Sequence, residues 1–314
     1  MGYTVDLHPI EEKVRFEYLH PLARPVLFPP HINQYTPLNV EGETVLRFHY
    51  LEGDAIVQAK RAIYDPQTGN AEEGFHANGS KCDELAVVLN DQEAFQATKC
   101  LVDEAGPALL QMWGANVVII KMATQGALVF ENGKEPVAVP SFPATKIFKI
   151  GSGDVFSAMF AHLWGEKSLS AVEAATYASK AVADYVETRA LPVQSVPGPV
   201  NRAPYQRRSM APRVYLAGPF FDIAQRWLIE ECRASLENLG AEVFSPIHDV
   251  GPAETVANVA AADLAGLHNC DIVLALPDSK DPGTIFEIGY ARATSPKTGC
   301  HPRRTISSAG LYDV

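Results

Sequence analysis

The chain has 314 residues, 47% of them hydrophobic and 20% charged, with a formal charge of -11. That length exceeds the usual size of one hydrophobic core and predicts two domains. The acidic balance argues against a nonspecific nucleic-acid or anionic-membrane surface, since either needs clustered Lys and Arg. Small polar molecules are the expected partners.

The five cysteines, Cys82, Cys100, Cys232, Cys270 and Cys300, are scattered and never in a Cys-x-x-Cys spacing. Neither a disulfide framework nor a zinc site is expected, and a reduced, cytoplasmic setting is. The N-terminal residues lack the basic start and apolar run of a signal peptide, and no apolar stretch reaches the roughly 20 residues a membrane span requires.

In chain order, Pro21, Pro25, Pro29, Pro30 and Pro37 mark irregular structure, and Thr44 to Tyr50 is a candidate strand. Apolar runs at Ala86 to Leu89 and Val117 to Ile120 predict buried strands, while Val155 to Trp164 and Ala171 to Val186 carry helical spacing. Five prolines between Leu191 and Arg213 interrupt any period and predict a linker over 191–212. Beyond it, strands are expected at Arg213 to Ala217, Glu242 to Phe244 and Asp271 to Leu276, with helices over about 223–239, 256–267 and 284–293. Gly240 stands where a helix C-cap belongs. This alternation predicts a parallel, doubly wound sheet. The tail after Ala293 has no apolar pattern and is expected to be an exposed extension, although such a sheet ordinarily has another strand there.

Gly151-Ser152-Gly153-Asp154 leads into a helical run, so backbone N–H groups at a helix start face whatever Asp154 faces. That arrangement suits a phosphoryl group, with Asp154 accepting a proton from an attacking hydroxyl. Asn90-x-x-Glu93 follows a strand and places an amide and a carboxylate where they suit a magnesium hydration shell. With Tyr64-Asp65-Pro66 added, Asp65 to Ala190 resembles the nucleotide-binding part of the PfkB-type sugar kinases, the ribokinase-like family. The resemblance implies ATP and Mg2+ as cofactors, Asp154 as base, and Gly151, Ser152 and Gly153 as the anion hole. It further implies Asn90 and Glu93 as the metal motif and Gly126 in the ATP-side turn. The sequence departs from that family at Phe148, where an acid is usual, and at Ala123, where a glycine is usual. The family's substrate-binding half is also much reduced before Asp65.

In the C-terminal half, Val-Tyr-Leu-Ala-Gly-Pro-Phe-Phe from Val214 stands ahead of Asp281-Pro-Gly-Thr-Ile-Phe-Glu-Ile-Gly-Tyr-Ala291. Both runs read as loops at carboxyl ends of strands, where Asp263, Asp281 and Glu287 can converge. A partly shielded Glu287 suits attack on an anomeric carbon, with Tyr215 orienting it. These runs, with Phe244-Ser245-Pro246 and Ala262-Asp263-Leu264, resemble the nucleoside 2-deoxyribosyltransferases. That resemblance implies Glu287 as nucleophile, Asp263 as the acid near the base, Asp281 as a sugar-hydroxyl ligand and Tyr215 as orienting phenol. Gly218, Phe221 and Gly283 would line the pocket, and sites shared in a homo-oligomer are implied. No matching asparagine follows Ala293, so hydrolysis stands beside transfer.

The expected fold is thus α/β in two domains. A partial ribokinase-like domain spans 1–190, a linker 191–212, and a Rossmann-like (flavodoxin-like) doubly wound domain 213–314. The leading functional reading is cleavage or exchange of the N-glycosidic bond of 2-deoxyribonucleosides. Phosphorylation of a sugar or nucleoside hydroxyl through Asp154 is the alternative, and a non-catalytic nucleotide-binding scaffold a third. Trp113, Trp164 and Trp227 are expected to pack, His76 and His268 to be structural or exposed, and His248-Asp249 to form a polar loop.

Overall fold

The computed structural model describes residues 6–20, 23, 25–67, 72–146, 148–193, 202–205, 211–250, 256–277, 280–294 and 305–307. The chain divides into two compact units, Met1–Arg207 and Arg208–Val314.

In the first unit a short antiparallel pair, β1 (Arg15–Glu17) and β2 (Val26–Phe28), precedes the main sheet. That sheet runs in the order β3 (Leu38–Phe48), β4 (Ala55–Asp65), β5 (Lys81–Asn90), β6 (Val117–Lys121), β7 (Ala127–Glu131), β8 (Val137–Val139). The pairings from β3 to β6 are parallel and those of β7 with β6 and with β8 are antiparallel, so β7 alone is reversed and the sheet is mixed.

Strand side chains alternate between faces, which splits the apolar residues into two cores. Ile63, Ala86, Val88, Val117 and Ile119 face α3 (Ser152–Phe160), a π-helical turn (Ala161–Glu166) and α4 (Ala171–Thr188). Tyr64, Leu85, Val87, Leu89, Val118 and Ile120 face the opposite side, with α1 (Asp91–Thr98) and α2 (Val102–Trp113). Every second residue of β5 and β6 is therefore apolar for a different core, which explains their unbroken hydrophobic runs. Trp113 and Trp164 are buried in these layers.

One sequence expectation changes here. The expected linker is partly absorbed by the first unit: Arg202 donates to Pro143 O at 2.6 Å and pairs with Asp184, and Tyr205 N donates to Ser141 O. The strand expected at Thr44 to Tyr50 falls largely within a longer one, β3, which begins at Leu38 directly after the last of the early prolines. Arg47, at the end of β3, is buried and gives its guanidinium to Asp54 at 2.6 Å and to Phe75 O at 3.1 Å. These long-range bonds hold the return between β3 and β4.

The second unit is a sheet in the order β10 (Glu242–Phe244), β9 (Arg213–Ala217), β11 (Ile272–Ala275), β12 (Thr305–Ser307). All its pairings are parallel. α5 (Ile223–Asn238) belongs to one face, with Leu216, Ile229, Val243 and Leu276. α7 (Val256–Asn269) and α8 (Pro282–Thr294) belong to the other, with Tyr215, Leu267, Val273 and Ala291, while the short α6 (Pro246–Asp249) follows β10. Gly240 closes α5 with φ at +84°. The tail is not wholly an extension: Thr305–Ser307 pairs with β11 and supplies the further strand.

Candidate functional sites

In an open parallel sheet, ligands bind beyond the carboxyl ends of the strands, where neighbouring strands are followed by chain leaving in opposite directions. In the second unit that place lies beyond β9 and β11. Tyr215 is a residue of β9 and fully buried. Its hydroxyl donates to Glu287 Oε1 at 2.7 Å, joining β9 to α8. The Tyr215 ring stacks on Phe244 of β10, with centroids 5.4 Å apart. Gly266 of α7 lies against that ring, and a Cβ there would overlap it.

Glu287 is partly buried. Desolvation pushes its carboxyl up to about 7; the Tyr215 hydrogen bond opposes this, and Asp263 and Asp281 add to it. Tyr215 is itself raised, first by burial and then by the adjacent Glu287. Asp263, from α7, is raised by burial, and its Oδ1 is buried with no hydrogen-bond partner among the described residues. An orphaned carboxylate oxygen beside a shielded carboxylate is a group in want of a ligand.

Asp281 performs a structural task. Its Oδ2 accepts from Thr284 N at 2.7 Å and from Thr284 Oγ1 at 3.0 Å, capping the start of α8. Gly283 lies close to the same carboxylate. Gly218 is packed, for a Cβ there would stand 2.8 Å from Ile229 Cδ1. Phe221 is 71% exposed and Trp227 46% exposed, so Trp227 is no core residue.

The first unit gathers a second cluster. Asp65 ends β4 and is fully buried. It accepts from Ser157 Oγ at 2.7 Å and Gln67 Nε2 at 2.8 Å, and pairs with Lys121 Nζ at 3.3 Å. Asp154 is exposed at the start of α3. Desolvation and Asp65 raise its carboxyl, while Lys121 draws it back. Gly151 takes φ +77°, and a Cβ there would meet the Tyr185 hydroxyl, which donates to Ile150 O. Ser152 Oγ donates to Lys149 O at 2.7 Å. Gly126 takes φ +87° against Val139 O, and Ala123 in the same turn takes φ +48°, the left-handed conformation that a glycine would adopt without strain. Phe148 lies between Tyr185 and the Arg189 guanidinium, 4.3 Å from its ring centre.

Asn90 and Glu93 form a capping box on α1: Asn90 Oδ1 accepts from Glu93 N and Glu93 Oε2 accepts from Asn90 N, each at 2.8 Å. Helix capping accounts for their i, i+3 spacing. The described residues include no group of three or more His, Cys, Asp or Glu placed to hold a metal.

Sequence reasoning missed Lys121 and Ser157 as site residues, because their meeting with Asp65 joins three elements distant in the chain. The minor histidines are engaged in local bonds: His248 with Glu230 at 2.8 Å and Ser245 at 3.1 Å, His76 with Ser80 O, and His268 with Leu264 O and Tyr290. Asp249 accepts from Ser245 N. A depression lined by Gln58, His76, Lys81 and Cys82 lies at the amino-terminal end of β5, the opposite end from this cluster.

Residues 59–194 match the pfkB family carbohydrate kinases, and residues 214–305 match the nucleoside 2-deoxyribosyltransferases. No curated protein sequence matches the chain. Among solved structures, a ribokinase from Thermotoga maritima is 25% identical, covering 46% of each chain with a TM-score of 0.33. Arabidopsis thaliana ribokinase, solved with ribose and ATP, is 23% identical over 44% of each chain, TM-score 0.35. A 2-deoxyribosyltransferase from Bacillus psychrosaccharolyticus is 27% identical, covering 31% of this chain and 74% of that one, TM-score 0.27. The chain spans less than half the length of those ribokinases.

Proposed function

We propose that the second unit cleaves or exchanges the N-glycosidic bond of 2-deoxyribonucleosides through Glu287. The observation that carries this reading is the Tyr215–Glu287 hydrogen bond of 2.7 Å beside the unpartnered Oδ1 of Asp263. A carboxylate oxygen of Glu287 attacks the anomeric carbon as the bond to the base nitrogen breaks. The electron pair leaves with the base, and Asp263, raised by burial, gives that nitrogen its proton. The product is a glycosyl ester on Glu287. A second base, or water, then attacks the same carbon, gives its proton to the Asp263 carboxylate and frees the carboxylate of Glu287. Tyr215 holds the free Glu287 oxygen in place, and Asp281 serves the sugar hydroxyl with the oxygen not engaged in capping.

The test is chromatographic, with the whole protein incubated with a 2-deoxyribonucleoside panel, with and without a second free base. A new nucleoside means transfer and free base alone means hydrolysis. Either product must vanish in Glu287→Gln; persistence there, or no product from the unaltered protein, overturns the reading.

A second reading concerns the first unit, where Asp154 stands beside the ion pair of buried Asp65 with half-buried Lys121. It is ATP-dependent phosphorylation of a sugar or nucleoside hydroxyl with Asp154 as base, and no step is routed through magnesium. Small-molecule nucleosides, nucleobases and sugars are the partners, in a reduced cytoplasm to which five scattered cysteines with no Cys-x-x-Cys spacing are suited. Exposed Phe221, Ile223, Ile285 and Phe286 support a homo-oligomer. Among the described residues no helix is long and apolar enough to cross a membrane.

A further inference from the structure

We propose that Arg202, which follows α4 shortly before the boundary between the units, clasps the nucleotide end of the first unit. It holds the chain from Ser141 to Thr145 in the position that binds ATP, and ATP in turn tightens the clasp. The inference rests on the kinase reading of that unit. Arg202 is a positioning residue that lies beyond the residues matching the kinase family.

The chain from Pro140 to Ile150 leaves β8 and ends at the Gly151–Gly153 loop, so it joins the two loops that the kinase reading gives to ATP. Its start lies against the turn that ends in Gly126. Ser141 Oγ donates to Thr124 O, and a Cβ on Gly126 would come within 2.1 Å of Val139 O and 3.0 Å of Ser141 N. At its far end the Tyr185 hydroxyl of α4 donates to Ile150 O. Between these points Thr145 donates both its N–H and its hydroxyl to Glu187 of α4. Two carbonyls of the same stretch take donors from the segment after α4. Ser141 O accepts from Tyr205 N at 2.8 Å, and Pro143 O accepts from the Arg202 guanidinium at 2.6 Å.

Charge explains why Arg202 stands there. α4 carries Glu187 in its last turn and Asp184 just before it, with no basic residue in that turn, so two carboxylates face the negative end of the helix dipole. The neighbouring cations serve rings instead: Lys180 lies over Phe142 and Tyr177, and Arg189 over Phe148. Arg202 supplies the missing charge, 3.2 Å from Asp184 and 3.9 Å from Glu187, with its side chain only 17% exposed. Its planar fork of fixed donors lets one side chain join these carboxylates to the Pro143 carbonyl.

Such a stitch is purely structural where its partner is an inert surface loop. Here the partner is bounded by both nucleotide loops. Release of Arg202 frees the stretch from Ser141 to Thr145, and ATP must then order it again at a cost in affinity. Coupling between two binding events is reciprocal, so bound ATP holds the Arg202 segment in place to the same degree.

The experiment pairs isothermal titration of the full chain with ATP and hydrogen exchange at the Tyr205 amide. Arg202→Met is expected to weaken ATP about fivefold or more, as a site does when its competent conformation is no longer the dominant one. Arg202→Lys should recover part of the loss. Asp184→Asn removes the partner and keeps Arg202; it should weaken ATP as well, and the two losses should not add, because they break one contact. This second variant decides the matter even where Arg202→Met folds poorly. Saturating ATP should slow exchange at Tyr205 in the unaltered protein and not in Arg202→Met, a response that a stitch serving only the fold does not give. Unchanged ATP affinity in the variants, or exchange at Tyr205 indifferent to ATP, overturns the clasp and leaves the kinase reading standing. If the unaltered protein does not bind ATP, the kinase reading fails and the proposal with it.

Discussion

Glu287 shows how a single side chain acquires a chemical character its sequence neighbours do not confer. Burial alone favours the neutral acid, and Asp263 and Asp281 push in the same direction; the Tyr215 hydroxyl works against both by donating to the charged form. The sum places the group at about 7, so the carboxylate that the proposed reaction requires forms as pH rises through that value. Base release should therefore climb on an acidic limb centred near 7. Tyr215→Phe removes the one contact that favours the charged form, so the limb should move to higher pH, with a lower rate at neutrality; a pH–rate profile of the two proteins checks this. The same shift has a stability consequence of opposite sign. A carboxyl whose folded pKa is raised binds more protons in the folded than in the unfolded state, so this group's contribution falls as pH rises from the ordinary carboxylate range through about 7.

At the scale of elements, the C-terminal site depends on how closely α7 approaches β10. Gly266 permits that approach, since its missing side chain leaves room for the Phe244 ring, and Phe244 in turn stacks on Tyr215. Gly266→Ala inserts a methyl group into occupied space. Overpacking of this kind costs about 1–3 kcal/mol. A lowered urea midpoint with an unchanged slope is the expected result. Base release should fall as well, because the displaced Phe244 ring stacks on Tyr215, whose phenol holds Glu287. The capping box of α1 teaches a related lesson about Asn90 and Glu93: an i, i+3 amide and carboxylate at a strand-to-helix junction satisfy the helix's own N–H groups before any ligand is considered.

For the whole molecule, each unit contains apolar residues on both faces of its own sheet, giving two cores apiece. Each therefore has the means to hold its own site without the other. Glu287→Gln should abolish base release and leave ATP-dependent phosphorylation unchanged, while Asp154→Asn should abolish phosphorylation and leave base release unchanged. Parallel assays of the two variants check this, and loss of both functions in either variant would mean that the sites are coupled.

The strands β9 and β10, the span of α5 and the buried runs at Ala86 and Val117 were legible in the sequence, because they are strongly apolar, periodic and bounded by Gly or Pro. Tyr215, Asp263, Asp281 and Glu287 were singled out through the motifs that carry the family resemblance, and the fold then brings the Tyr215 hydroxyl to Glu287. The antiparallel hairpin of β7 and β8, the long parallel pairing of β3 with β4, and the return of Thr305–Ser307 to β11 were not. Each depends on hydrogen bonds to residues far along the chain, which a local pattern does not carry. The same reason hid Lys121. A lysine at the end of an apolar strand is locally an ordinary solvated charge, and only the packing of β4, β6 and α3 gives it Asp65 as an anchor and Gly153 as a neighbour.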